Sequence, residues 1–211
     1  MSRDESTLVE PPHDDLVGAT HARGDEGIAQ LLSELATTRG RRRVLVVRAL
    51  ARRDRLPTDA WCAATRDEDV DVRLEALEAY ARSERRDVQL LAAARERLAD
   101  DDDTVVEAAA FALGEHLDVT AVAALCDLAR AHRDPRCREA AVAALGSIGD
   151  ERALDVVIGA LDDKPAIRRR AVVAIANFEG PRVEAALERA SGDRDWQVRA
   201  AVAQLTDGPP N

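Results

Sequence analysis

Aromatic residues are nearly missing from this 211-residue chain: Trp61, Tyr80, Phe111, Phe178 and Trp196 make up 2% of it. The interior must therefore be built from Ala, Leu, Val and Ile, which suits closely packed helices better than a large sheet sandwich. Lysine is scarcer still, with Lys164 the only one, so arginine carries almost all the positive charge. A positive balance is also lacking. The formal net charge of −10 argues against a protein that coats nucleic acid over its whole surface. Cys62, Cys126 and Cys137 form no CxxC pair and no even set, which excludes a disulfide framework and fits a reducing compartment. No apolar run approaches the length of a membrane span. The opening MSRDESTLVEPPHDD has no apolar core of a secretory signal, so a cytoplasmic location is expected.

What is present is repetition. Stretches that begin with an apolar anchor recur at Val72 (VRLEALEAY), Val105 (VVEAAAFAL), Cys137 (CREAAVAAL), Ile167 (IRRRAVVAI) and Val198 (VRAAVAQL). Successive anchors are 33, 32, 30 and 31 residues apart, a period that marks a stacked-repeat architecture. From Cys137, small or apolar residues fall at Ala140, Ala141, Ala144, Leu145 and Ile148, the stripe of an amphipathic helix. A second stripe precedes each anchor, as in Leu90, Leu91, Ala94 and Leu98, or Leu154, Val157, Ile158 and Leu161. Asp134-Pro135 and Pro165 read as helix starts, and Gly40, Gly114, Gly149 and Gly180 as helix ends. A degenerate first unit spans roughly Asp25 to Arg55, giving six helix pairs over 25–206. The acidic segment 1–24 and the tail 207–211 are expected to be loosely attached.

The stretch VAALGSIGDERALDVVIGALDDKPAIRRRAV, with its AL, G, IGD.RA and VR-like positions, resembles the HEAT-like repeat named after phycobilisome lyases. The resemblance is strongest from about residue 100 onward. It implies an all-α fold, a right-handed α-solenoid of about six HEAT-like helix pairs with a convex and a concave layer. The name belongs to the repeat and not to an activity.

The GSIGD centre at 146–150 could be taken for a phosphate loop. Such a loop follows a strand, whereas Gly146 and Gly149 follow a helix pattern, and Asp150 would repel an anion while capping the next helix. A corner is the favoured reading. Asp and Arg recur at a fixed offset in Asp69 and Arg73, Asp134 and Arg138, and Asp195 and Arg199. A catalytic acid repeated along a chain competes here with a structural ladder pairing each aspartate with an arginine of its own or the next repeat. The ladder is favoured, with an interruption expected where Val106 replaces arginine. Cys126, His132 and Cys137, with His116 nearby, match no standard zinc spacing, and both cysteines fall on core positions, so neither metal nor cofactor is expected.

Residues 39–55 hold eight arginines against one aspartate, a basic patch that is either a solvated face or a docking face for an acidic partner. Arg41, Arg42, Arg43 and Arg48 are its candidate binding residues. On the second helices, the sixth position after each anchor reads Glu78, Phe111, Ala143, Val173 and Gln204, and the second reads Leu74, Glu107, Glu139, Arg169 and Ala200. Leu74, Glu78, Phe111, Arg169 and Val173 are the candidate contacts of a concave partner groove. The competing reading buries Phe111 and Val173 between neighbouring pairs. Small residues at the ninth position (Ala81, Gly114, Gly146, Ala176) would let a partner approach closely.

The function expected is a non-catalytic scaffold or adaptor that binds a protein or peptide along its concave surface. One alternative is nucleic-acid binding, since the chain resembles alkylpurine DNA glycosylases at the level of fold; that chemistry would need clustered aromatics and a broad basic groove. A weaker alternative is an accessory subunit that assists cofactor attachment, implied by the family name alone. Circular dichroism should give an almost wholly helical spectrum, and substantial strand content would overturn the solenoid reading.

Overall fold

The computed structural model describes residues 25–206; the segments 1–24 and 207–211, expected to be tails, lie outside the described residues. Twelve α-helices follow one another: α1 (Asp25–Thr37), α2 (Gly40–Ala51), α3 (Thr58–Ala64), α4 (Val70–Ala81), α5 (Val88–Glu96), α6 (Asp103–Glu115), α7 (Val122–Ala131), α8 (Pro135–Ile148), α9 (Leu154–Gly159), α10 (Pro165–Ile175), α11 (Pro181–Ser191) and α12 (Trp196–Thr206). Short 3₁₀ turns border α5, α7 and α9, and the described residues contain no strand. The helices pair as first and second members of six repeats.

Local chemistry sets the helix starts. Side chains of Asp69, Asp102, Asp134 and Asp195 each accept a hydrogen bond from the backbone N–H two residues on, at 2.8–2.9 Å. Such a cap contributes about 1 kcal/mol. Pro135, Pro165 and Pro181 occupy first-turn positions, where a missing N–H costs nothing. GSIGD is a corner: Gly149 ends α8 at φ +66°, and the Asp150 carboxylate accepts from Arg152 N at 2.9 Å to open the next turn. The Arg152 fork beside Asp150 holds that carboxyl at about 2.

The anchors Val72, Val105, Cys137, Ile167 and Val198 are all 0–1% exposed and form one continuous core. Each second helix packs on the second helix of the next repeat, α2 through α12, more extensively than the first helices pack on one another. The approach is closest at two glycines. A Cβ on Gly114 would lie 2.8 Å from Ala144 Cα, and one on Gly146 would lie 2.7 Å from Ala174 Cα. Gly114 lies in the last turn of α6, where the sister helix leaves no room for a side chain. At Gly114 and Gly146 the small ninth position admits the sister helix rather than a partner. In a curved double layer the more closely spaced helices lie inside the bend, so the second helices line the concave side.

An ionic ladder joins the corners. Arg43 Nε lies 3.1 Å from Asp67 Oδ2, and Arg73 donates to Asp100 at 2.9 Å. Arg138 grips Asp163 with two nitrogens at 2.7 and 2.8 Å, and Arg168 grips Asp193 with two at 2.8 Å. A further nitrogen of Arg73, Arg138 and Arg168 donates to a backbone carbonyl of the preceding corner, Asp67, His132 and Asp163 respectively, at 2.8–2.9 Å. Arginine suits the position, because its rigid planar guanidinium reaches a carboxylate and a carbonyl from separate nitrogens, whereas an ammonium carries all its donors on one atom. The ladder therefore differs in its acceptors from the Asp69–Arg73, Asp134–Arg138 and Asp195–Arg199 pairs expected from spacing. Those aspartates are caps, and the carboxylate that meets each arginine comes from the following corner. Arg199, in the last repeat, donates only to the carbonyl of Asp193 at 2.7 Å among the described residues.

The ladder skips the third repeat, where Val106 stands in place of arginine and His132 in place of the accepting aspartate. His132 keeps the other duty of that position. Its Nδ1 accepts from Asp134 N at 3.2 Å, as Asp67, Asp100 and Asp193 accept from Asp69, Asp102 and Asp195 N at 2.7–3.1 Å.

Asp193→Asn should lower unfolding stability at pH 7 by about 3 kcal/mol, since Arg168 would be left with a buried charge; its side chain is only 5% exposed. The Arg168 fork holds the Asp193 carboxyl below its ordinary value. The pair's contribution is therefore complete above about pH 4 and lost as pH falls through the depressed value. Denaturant unfolding across pH should show wild type and variant converging in acid; a constant gap would remove the ion pair as the cause.

Candidate partner-binding face

Four arginines of the run at 39–55 sit beside acids. Arg42 lies 3.1 Å from Glu34, Arg43 is the first rung of the ladder, and Arg39 lies 3.7 Å from Glu68. Arg48 Nε donates to the buried Glu75 at 2.9 Å, and a second nitrogen of the same fork closes on that carboxylate. This raises the Arg48 guanidinium pKa further, chiefly through the hydrogen bond to Glu75. Arg41 is exposed, about two helical turns from Arg48. The acids that meet Arg39, Arg42, Arg43 and Arg48 lie in other elements, so a window of local sequence cannot show them.

The second helices present one continuous strip. Arg48, Glu78, Phe111, Ala143, Val173 and Gln204 recur once per repeat along it. Phe111 is 52% exposed and Val173 48%, so both stand on the surface rather than between pairs. Leu74, Glu78 and Phe111 come together around a hollow of about 430 Å³ between α4 and α6, floored by Ala108 and edged by Arg82 and Glu107. Arg48, Glu78 and Arg82 edge a wider hollow of about 860 Å³ between α2 and α4. Arg169 and Val173 line a third, of about 250 Å³, against Trp196 and Gln204. Trp196 is the residue that sequence reading missed. It opens α12 at 67% exposure, and the only advance signal was an aromatic directly after a helix-capping aspartate.

Charge along the strip is mixed and mostly paired. Arg82 lies 3.5 Å from Glu78 and 3.6 Å from Glu75, Arg170 lies 3.5 Å from Glu139, and Arg169 donates to Gln197 at 3.0 Å. Such an arrangement can seat an apolar side chain in a hollow with polar groups around it; it offers no nucleophile beside a base.

The cysteines and histidines separate. Cys126 is buried on the α7 stripe, and His116 stacks on Tyr80 at 4.0 Å with Nε2 2.8 Å from the Tyr80 carbonyl. His132 and Cys137 instead meet Asp103, a residue the spacing argument never considered. Their ligand atoms all lie within 4.8 Å of one another. The Cys137 thiol donates to the Asp103 carbonyl at 3.2 Å, and burial, then Asp103, pushes it up to about 11.

Residues 91–173 match the sequence family of HEAT repeats. Similar solved structures are helical-repeat proteins. A designed armadillo repeat protein in complex with the peptide (KR)4 is 16% identical, with a TM-score of 0.57 over 92% of this chain and 97% of that one. An engineered protein is 16% identical, with a TM-score of 0.62 over 85% and 95%. Computationally designed armadillo repeat proteins for modular peptide recognition are 17% identical, with a TM-score of 0.54 over 92% and 98%. No curated protein matches the sequence. At such identities the likeness establishes the fold, an armadillo- or HEAT-type solenoid. No helix of the described residues is long and apolar enough to cross a membrane.

Because Phe111 and Val173 stand clear of the core, Phe111→Asp and Val173→Asp should each leave the melting temperature within a few degrees of wild type. Arg43→Glu should lower it clearly by reversing a rung, while Arg41→Glu should not. A collapse of the Phe111 variant in differential scanning calorimetry would return that residue to the core.

Proposed function

We propose that the chain is a non-catalytic scaffold that holds a partner protein or peptide against its concave second-helix strip, in the cytoplasm. The observation that carries this reading is the half-exposed Phe111 beside a hollow lined by Leu74 and Ala108. An exposed aromatic in a chain with five aromatics in all is an anchor awaiting an apolar contact, and polar residues surround it as they do an interface core. Leu74, Glu78, Phe111, Arg169 and Val173 are its contacts, with Arg48 at the rim. A designed protein of the same fold is described in complex with a peptide, which supports a peptide or protein as the kind of partner. Free Cys62, Cys126 and Cys137 suit a reducing setting.

Nucleic-acid binding is the weaker reading, because Arg42, Arg43 and Arg48 are already matched to Glu34, Asp67 and Glu75. Assistance in cofactor attachment has only the repeat's name behind it.

Affinity capture from extract with tagged wild type and the Phe111→Asp and Val173→Asp variants tests the strip. Loss of about tenfold or more of captured partner, with melting unchanged, is expected from truncating an anchor. Capture that survives both variants but disappears after nuclease treatment would replace this reading with the nucleic-acid one.

A further inference from the structure

Departures from the repeat concentrate at one corner, between the third and fourth pairs. Val106 takes the place of the rung arginine, His132 that of the accepting aspartate, and Cys137 that of the valine or isoleucine anchor found at Val72, Val105, Ile167 and Val198. The corner thus loses the cation that Arg43, Arg73, Arg138 and Arg168 bring to the others. It retains an acid, Asp103, whose neighbours are His132, with Nε2 at 3.8 Å from Oδ1, and the largely exposed Arg133 at 3.3 Å.

We propose that Asp103, His132 and Cys137 form a binding site for one divalent transition-metal ion of the zinc type, which joins the third and fourth repeats where the arginine rung is missing. Three chain segments contribute: the first residue of α6, the residue that ends α7, and the first turn of α8. Among the described residues these are the three Asp, Glu, His or Cys side chains whose ligand atoms gather within 4.8 Å. Bonds of about 2.0–2.3 Å to one ion require modest closure of that triangle. The Asp103 and His132 side chains, 24% and 20% exposed, have room to move toward the fixed, buried sulfur.

The donor set decides the class of ion. Sulfur, imidazole nitrogen and one carboxylate suit zinc or cobalt; magnesium and calcium prefer all-oxygen shells. Charge balances as well. A dication, a thiolate, a carboxylate and a neutral imidazole sum to zero, as an Arg–Asp rung does. On binding, Cys137 exchanges its S–H for a sulfur–metal bond and releases one proton, since the ion deprotonates a coordinating thiol. His132 coordinates through Nε2, and its ring proton moves to Nδ1, which gives up the long hydrogen bond from Asp134 N. The fourth position is left to water from the partly open Asp103 side.

Cobalt supplies the test, because a thiolate–cobalt bond absorbs in the near ultraviolet and oxygen or imidazole ligation alone does not. The full chain, stripped with a chelator, is titrated with Co²⁺ and then with Zn²⁺. The expected result is a charge-transfer band that saturates at one equivalent, is bleached by Zn²⁺, and accompanies a rise in melting temperature with Zn²⁺. Cys137→Val and His132→Asp install the residues of sister repeats, so both should fold with unchanged helicity. Cys137→Val should lose the band and the Zn²⁺-dependent rise, and His132→Asp should weaken Zn²⁺ binding at least tenfold. Absence of the band in wild type, or a band that persists in Cys137→Val because Cys62 or Cys126 supplies it, overturns the proposal.

Discussion

In the second, fourth and fifth repeats an arginine fork fastens the unit to the next and does two things at once. From the fourth residue of a second helix, directly after the anchor, it donates backward to a backbone carbonyl at its own corner and forward to an aspartate at the next. In Arg168 both grips lie within 2.9 Å, on a side chain that is 5% exposed. The backward bond fixes the corner's shape, and the forward bond fixes the distance to the neighbour. The same aspartates also take the N–H of the capping residue, so helix start, corner and inter-repeat spacing are set by one carboxylate. Within that frame the apolar stripes can consist of residues as small as alanine, because alignment does not depend on bulky side chains meshing.

Close approach of the second helices follows. Gly114 against Ala144 and Gly146 against Ala174 bring backbones together where any larger side chain would collide. With the inner layer held this near, positions two and six of each second helix cannot turn inward and remain on the concave surface. The exposed strip is therefore a by-product of packing: whatever residue stands at position six is displayed. Arginine, glutamate, phenylalanine, alanine, valine and glutamine occupy it in turn, which gives six neighbouring addresses of different chemistry on a nearly uniform frame.

Periodicity made the fold legible, because a 30-residue repeat with a 3.6-residue stripe admits few architectures. It also located the strip, since the offsets that leave the core are those the core does not use. The partners of charged residues were not legible. Arg73 has Asp69 four residues before it and Asp100 twenty-seven after, and only the stacking distance selects the second. Likewise four arginines of the run at 39–55 meet Glu34, Asp67, Glu68 and Glu75, acids that lie elsewhere in the chain. Asp103 reached His132 and Cys137 for the same reason: the solenoid brings residues one period apart to the same corner, while motif spacing looks along the chain.

The ladder also has a direction. Every rung places its cation on the earlier repeat and its anion on the later one, so units can be added or removed only in register and in the same order. Residues 101–132 comprise one full period and contain both Val106 and His132, the two residues that break the sequence of rungs. Their excision would join Asp100, the acceptor of Arg73, to Arg133 and the Asp134 cap, leaving five pairs with a rung at every junction. The break is thus confined to one period of the chain, made of the second helix of the third pair and the first helix of the fourth.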